Sequence, residues 1–169
     1  FGVAGLQNYG LTNDPNLPAA ISPATKAAGN GNVWVYNGLI NGTANEIFAD
    51  FQALFIQLVT QTQGLVDAKS AMVLTMSPTL ETALTTTNSF NVSVNDLLKK
   101  NFPNLRIETC VQFGALSAAN PQGVAAGNLM QLMVESLEGQ DTGYCAYNEK
   151  MRSHAVIKLH SSFEQKLTG

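Results

Sequence analysis

The sequence predicts an α+β domain in which two or three helices pack against a mixed sheet of about four to five strands. An apolar stripe with helical spacing follows a helix start signal at Thr43. Residues 105–113 and 151–163 alternate between apolar and polar side chains, as half-buried strands do. A short apolar run at residues 71–76 leads directly into a second helix start signal. Helices and strands therefore follow one another without a repeating unit.

The first helix is predicted to begin with a capping box and to end near Gly64. In Thr43-Ala-Asn-Glu46, the hydroxyl and the carboxylate can each accept from a backbone N–H at the helix start. The apolar side chains that follow recur at spacings of one, three and four, which predicts one buried face: Ile47, Phe48, Phe51, Leu54, Phe55, Leu58 and Val59.

A strand that passes directly into a helix is predicted next. Residues 71–76 have the length of a strand, and Ser77-Pro78 supplies an N-cap followed by a proline at the first helical position. Leu80 and Leu84 are expected to face the core. Residues 85–91 then break the helical pattern.

A second short helix and a strand follow. Ser93-Val-Asn-Asp96 has the pattern of a helix start, and Pro103 is expected to stop that helix. Residues 105–113 alternate with a period of two, which predicts a strand with one solvated face.

The later part of the chain is predicted to hold two more strands. Residues 129–134 form a continuous apolar run suited to a central strand, after a loop of small and polar residues at 114–127. Residues 139–148 have the composition of a turn region. Residues 151–163 alternate again, which predicts one long, half-exposed strand.

The charge content is low. Charged residues make up 12% of the 169 residues, about half of the usual share of roughly 25%. The net charge of −3 offers no basic footprint for sequence-specific nucleic-acid binding. No apolar run is long enough to cross a bilayer, and no secretion signal is visible, so we expect no membrane association.

The chain divides into three predicted segments. Residues 1–42 contain only two charges, Asp14 and Lys26, and form a turn and loop segment with a short strand near residues 33–36. Residues 43–148 form an α/β core, and residues 149–169 form the long strand. The chain begins at Phe1 and stops at Gly169 without a terminator, so we expect a piece of a longer protein.

No catalytic, cofactor-binding or metal-binding residue is predicted. His154 and His160 lie on one strand face about 20 Å apart, too far to act together. The spacings of Cys110 and Cys145 with these histidines match no structural zinc site, and we expect both thiols to be reduced. Cys110 lacks a visible activating base. Phosphate-binding loops, nucleophile elbows and dinucleotide fingerprints are all absent from the sequence.

Two residue clusters have structural explanations. The carboxylates of Glu46 and Asp50 lie in the opening turns of the first helix, where negative charge is favoured. The Phe48 to Phe55 stripe could line a pocket, although such stripes are usually core. The charge-poor loops, residues 15–42 and 114–127, fit either neutral solvated loops or the centres of subunit interfaces.

Three stretches together resemble the later half of HK97-type major capsid proteins of tailed phages and prophages. The first is Gly10-Leu11-Thr12-Asn13-Asp14-Pro15, followed by the helix at residues 46–63. The second is Met72-Val-Leu-Thr-Met-Ser-Pro78. The third is the closing stretch from Tyr144 to His160.

The resemblance implies an HK97-like fold, mainly the axial domain with part of the peripheral domain. It implies no active site and no cofactor. It implies a shell of hexamers and pentamers around the viral genome, with a scaffold and a maturation protease as possible partners. The location would be the virion, after assembly in the bacterial cytoplasm. The family's N-terminal arm, long spine helix and extended loop are not visible in this sequence.

Other functions remain as alternatives. An encapsulin-like compartment would share the fold but enclose cargo enzymes. A fragment of a small α/β enzyme could use Cys110 or His154. A ligand-binding module would use the Phe48 to Phe55 region as its pocket.

Overall fold

The computed structural model describes residues 18–125 and 127–143, together with four two-residue strands nearer the end of the chain. Within these residues, helices combine with a mixed three-stranded sheet and several short strand pairs. This confirms the predicted α+β class, but the mixed sheet has three strands among the described residues instead of the four to five expected. None of the described helices combines the length and the apolar character that crossing a membrane would require.

The first helix, α1 (Ala44–Gln61), forms because its start and its buried face are both encoded locally. Thr43 is the N-cap, and both hydrogen bonds of the predicted capping box are present. Ile47 and Phe51 are fully buried, while the later apolar residues of the stripe are half-buried against the core. The helix ends shortly before Gly64, whose φ of 84° suits a residue without a side chain.

The central sheet contains three strands in the order β4-β3-β5: β3 (Met72–Met76), β4 (Leu105–Thr109) and β5 (Met130–Val134). β3 pairs with β4 in parallel and with β5 antiparallel. In β3, the side chains of Met72, Leu74 and Met76 are completely buried, and the residues between them are half-buried. The prediction that residues 129–134 form a central strand is wrong for this sheet, since β3 lies in the centre.

Two short helices cover the core as predicted. α2 (Pro78–Ala83) has Ser77 as its N-cap, and α3 (Val94–Asn101) has Ser93. Leu80 and Leu84 are buried, which confirms their predicted direction. Phe102, at the end of α3, meets Phe51 and Phe55 of α1 edge to face, with ring centroids 5.0 and 4.9 Å apart.

The strand predicted at residues 105–113 is shorter than expected. β4 ends at Thr109, and Val111–Phe113 forms a 3-10 helix. The Cys110 N–H still donates to the Met76 carbonyl at 2.9 Å, but β3 ends there and Ser77 begins α2. The alternating pattern continues in the sequence, but beyond Cys110 no partner strand continues beside it.

Two short hairpins flank the core. β1 (Val35–Tyr36) pairs with β2 (Leu39–Ile40) across Asn37-Gly38, and both turn residues have positive φ. Asn-Gly is the preferred pair for a type I′ hairpin turn, a signal that the sequence reasoning did not use. β6 (Ser136–Leu137) pairs with β7 (Gln140–Asp141), so this hairpin begins before the predicted turn region of residues 139–148 and extends into it.

The long strand predicted at residues 151–163 is not a single strand. The described pieces are β8 (Arg152–Ser153), β9 (Ile157–Lys158), β10 (Phe163–Glu164) and β11 (Leu167–Thr168). β9 pairs antiparallel with β10, and β8 pairs antiparallel with β11. Two segments that pair with each other cannot belong to one continuous strand. Residues 1–17 of the predicted turn and loop segment lie outside the described residues.

Candidate assembly surface and its buried anchor

The residues considered for chemistry do not form a reactive site in the described part of the chain. Cys110 is half-buried at the end of β4, and its thiol donates to Gln112 Oε1 at 3.1 Å. Residues 18–125 and 127–143 contain no group of three His, Cys, Asp or Glu side chains that could hold a metal ion. His154, His160 and Cys145 lie outside the residues whose side chains are described. The absence of catalytic, metal and cofactor residues stays a prediction.

A groove of about 540 Å³ lies between α2, α3 and β4. Its lining includes Glu81, Leu84, Lys99 and Arg106, so it combines both charge signs with apolar walls. No phenylalanine of the α1 stripe lines this groove, and Phe51 is buried in the core. The expectation that this stripe is core is confirmed for Phe51.

A buried ion pair joins the charge-poor early segment to α1. Lys26 Nζ lies 2.6 Å from Asp50 Oδ2, and the side chains are 0% and 5% exposed. Trp34 Nε1 donates to the same Asp50 oxygen at 2.6 Å, and the Ala24 N–H donates to the other at 3.1 Å. The Lys26 ammonium also donates to the Ala24 carbonyl. One carboxylate thus fixes three points of the early segment on the helix.

Sequence reasoning missed this anchor. It attributed the Asp50 carboxylate to the opening turns of α1, whereas the structure gives it a partner 24 residues earlier. The available signal was Lys26, the single charged residue between Pro15 and Thr43. An isolated charge in such a segment indicates a specific partner, because burying an unpaired charge is costly.

Further hydrogen bonds hold the base of the β1–β2 hairpin. The Asn41 N–H donates to the Trp34 carbonyl at 2.7 Å, and Asn41 Nδ2 donates to the Val33 carbonyl at 2.9 Å. Asn30 Nδ2 donates to Asn41 Oδ1 at 3.1 Å. The hairpin is therefore fixed at its base by both backbone and side-chain contacts.

Glu46 adds a second link between the early segment and α1. Its carboxylate accepts from the Thr43 and Ala27 backbone N–H groups at 2.8 and 2.7 Å. These bonds, with one from the Thr43 hydroxyl, lower the pKa of Glu46 to about 2, because they favour the ionised form. Glu46 thus caps α1 as predicted, and it also binds the backbone of Ala27 in the early segment.

Beyond this anchor, residues 18–42 expose apolar side chains and no charge. Four large apolar residues of the hairpin region are exposed: Val33, Tyr36, Leu39 and Ile40. We call these four residues the hairpin surface. Leu39 is 74% exposed. Between Pro18 and Thr43 the single charged side chain is Lys26, which is buried, so this stretch presents no charge to its surroundings.

A second charge-free surface follows β4. Residues 111–134 contain no charged side chain, and Val111 and Leu116 are exposed. The loop is held by backbone hydrogen bonds, among them Leu116 N–H to Val124 O at 3.0 Å. Asn120 Nδ2 also donates to the Val111 carbonyl at 2.9 Å. This neutral surface is therefore ordered through contacts within the loop itself.

Comparison with known proteins identifies the chain. A search of the curated proteins finds no match. A family model described as Pa193 gp26 major capsid protein matches residues 1–169, the whole of the sequence. A match of this extent agrees with the capsid resemblance found in the sequence. The chain therefore belongs to the Pa193 gp26 major capsid protein family, a family of phage capsid proteins.

Proposed function

We propose that this capsid protein assembles with copies of itself into a closed shell that encloses the viral genome. The family match over all 169 residues carries the proposal. As a phage capsid protein, the chain is a structural component of the virion, and a capsid shell contains many subunits. Self-assembly and genome enclosure are the steps that the proposal adds.

The distribution of charge supports assembly through this chain. The centres of subunit interfaces are depleted of charged residues, whereas ordinary exposed loops usually carry them. Residues 27–43 and 111–134 carry no charge, yet they expose Tyr36, Leu39, Val111 and Leu116. Surfaces of this composition are suited to contacts that exclude water.

For the fold, we propose the HK97-type subunit, with residues 43–148 as its axial-like domain. Residues 1–42 would lie against that domain, and residues 149–169 would return toward the peripheral domain. The parallel pairing of β3 with β4 and the covering helix α1 support an α/β core of this kind. Head-to-tail contacts repeated around an axis would close hexamers and pentamers.

The proposal includes no enzymatic role. Assembly would take place in the bacterial cytoplasm, with a scaffold or a maturation protease as possible partners. DNA would lie inside the shell without sequence-specific binding, in agreement with the net charge of −3.

The test is electron microscopy of the complete capsid protein, combined with size-exclusion chromatography and light scattering. Closed particles of uniform diameter are expected, and nucleic acid is expected in particles recovered from infected cells. A strictly monomeric protein across concentrations and salts would contradict self-assembly. Particles that contain enzymes instead of DNA would indicate the encapsulin-like alternative.

A further inference from the structure

The hairpin surface is unusual in composition. Single exposed apolar residues are normal on soluble proteins, but clusters of them mark interaction sites. Val33, Tyr36, Leu39 and Ile40 lie within eight residues of chain and are 42%, 47%, 74% and 44% exposed. The nearest charges in the sequence are Glu46, whose carboxylate accepts from the Thr43 and Ala27 backbone N–H groups, and Lys26, which is buried and directed at Asp50. The hairpin surface therefore offers few groups that bind water strongly.

The hairpin surface is also held in place. Trp34, which lies between the exposed residues Val33 and Tyr36 in sequence, is 2% exposed and bonded to Asp50. Asn41 joins the other end of the hairpin to the Trp34 and Val33 carbonyls. Fixing a surface before binding lowers the entropy lost on association. The anchor thus presents an apolar surface in one conformation.

We infer that the hairpin surface contacts a second copy of this chain. The inference rests on the proposed function, because a shell subunit meets other copies of itself. The surface of the partner should also be uncharged. A charged group placed against the hairpin surface would lose its hydration without gaining a counter-charge. Another copy offers a neutral surface of the required kind at residues 111–134, where Val111 and Leu116 are exposed.

The first experiment compares Leu39→Glu with Gln61→Glu in the complete capsid protein. Both variants place one additional negative charge at an exposed position, but Gln61 lies at the end of α1, outside the hairpin surface. Leu39→Glu is expected to lower the yield of sedimenting particles by about tenfold or more, because the charge would be buried in each contact. Gln61→Glu is expected to assemble normally. Circular dichroism and thermal melting should show that both variants fold.

Each outcome has a separate meaning. Normal assembly of Leu39→Glu beside a normal control would overturn the inference and leave the proposed function intact. A wild-type protein that forms no particles would remove the proposed function, and the inference with it. Loss of particles in Leu39→Glu alone, with its fold retained, would support the inference.

The second experiment identifies the occupant. A photoreactive benzophenone side chain replaces Leu39 in assembled particles, and a control protein carries it at Lys100, an exposed position on α3. Illumination is expected to join two copies of the capsid protein through position 39, with a peptide of the second copy identified by mass spectrometry. Crosslinks to a different polypeptide, or a yield no higher than at position 100, would overturn the inference.

Discussion

Removing the charge of Asp50 should destabilise the protein more than any surface change. Asp50→Asn keeps the shape of the side chain but leaves the Lys26 ammonium, 0% exposed, without its counter-charge. Of the two partners of Lys26 Nζ, Asp50 Oδ2 and the Ala24 carbonyl, only the carbonyl would remain. Breaking a buried pair from one side typically costs about 3–5 kcal/mol. We expect a loss in that range, with a fall in Tm on the order of 10 °C.

Guanidinium unfolding followed by tryptophan fluorescence is the assay. Trp34 is the only tryptophan of the chain and bonds directly to Asp50, so its emission reports on the anchor itself. Arg106→Gln is the control, because it removes two ion pairs at the surface. Arg106 pairs with Glu108 and Glu135, and its side chain is 62% exposed. Exposed pairs contribute little, so the control should change stability by less than about 1 kcal/mol.

A double variant tests the reasoning further. Lys26→Met combined with Asp50→Asn removes the orphaned ammonium, so the double variant should be more stable than Asp50→Asn alone. A cost of Asp50→Asn below about 1 kcal/mol would refute the proposed energetic importance of the pair. Strict additivity of the two single changes would show that the two charges do not interact.

Three further predictions concern the core, the first helix and the neutral loop. Leu74→Ala should cost about 2–5 kcal/mol in urea unfolding, because Leu74 is fully buried in the central strand, and a cost near zero would contradict its place in the core. Glu46→Gln should destabilise the protein at neutral pH. The pKa of Glu46 is about 2 in the folded protein, below the ordinary glutamate value of 4.5, so the difference from wild type should shrink as the pH falls through this interval. A difference independent of pH would contradict the capping role of the charge. Gly123→Ala should lower Tm, because a Cβ there would lie 2.7 Å from the backbone of Ala115. Gly143→Ala should not, because no described atom lies within 4 Å of a Cβ at that position, and equal Tm values for the two variants would contradict this packing.

Local sequence signals predicted the starts of the three helices correctly. The starts at Thr43, Ser77 and Ser93 depend on hydrogen bonds that reach only three residues along the chain, so the sequence alone contains them. The apolar run before Ser77 predicted β3 for a similar reason, since its length and composition are local properties. The neutral composition of the early segment was also visible in the sequence, and it suggested subunit contacts without showing which residues are exposed.

Tertiary structure decided where strands end and which charges meet. β4 stops near Thr109 because its partner β3 ends at Met76, a limit that the alternation of residues 105–113 does not contain. The pairing of Lys26 with Asp50 spans 24 residues, so it depends on the path that the early segment takes across α1. That path also buries Trp34 and leaves Leu39 exposed. The helix starts and the apolar runs could thus be predicted from the residues alone, whereas burial and long-range pairing required the folded chain, because they depend on which distant segments come into contact.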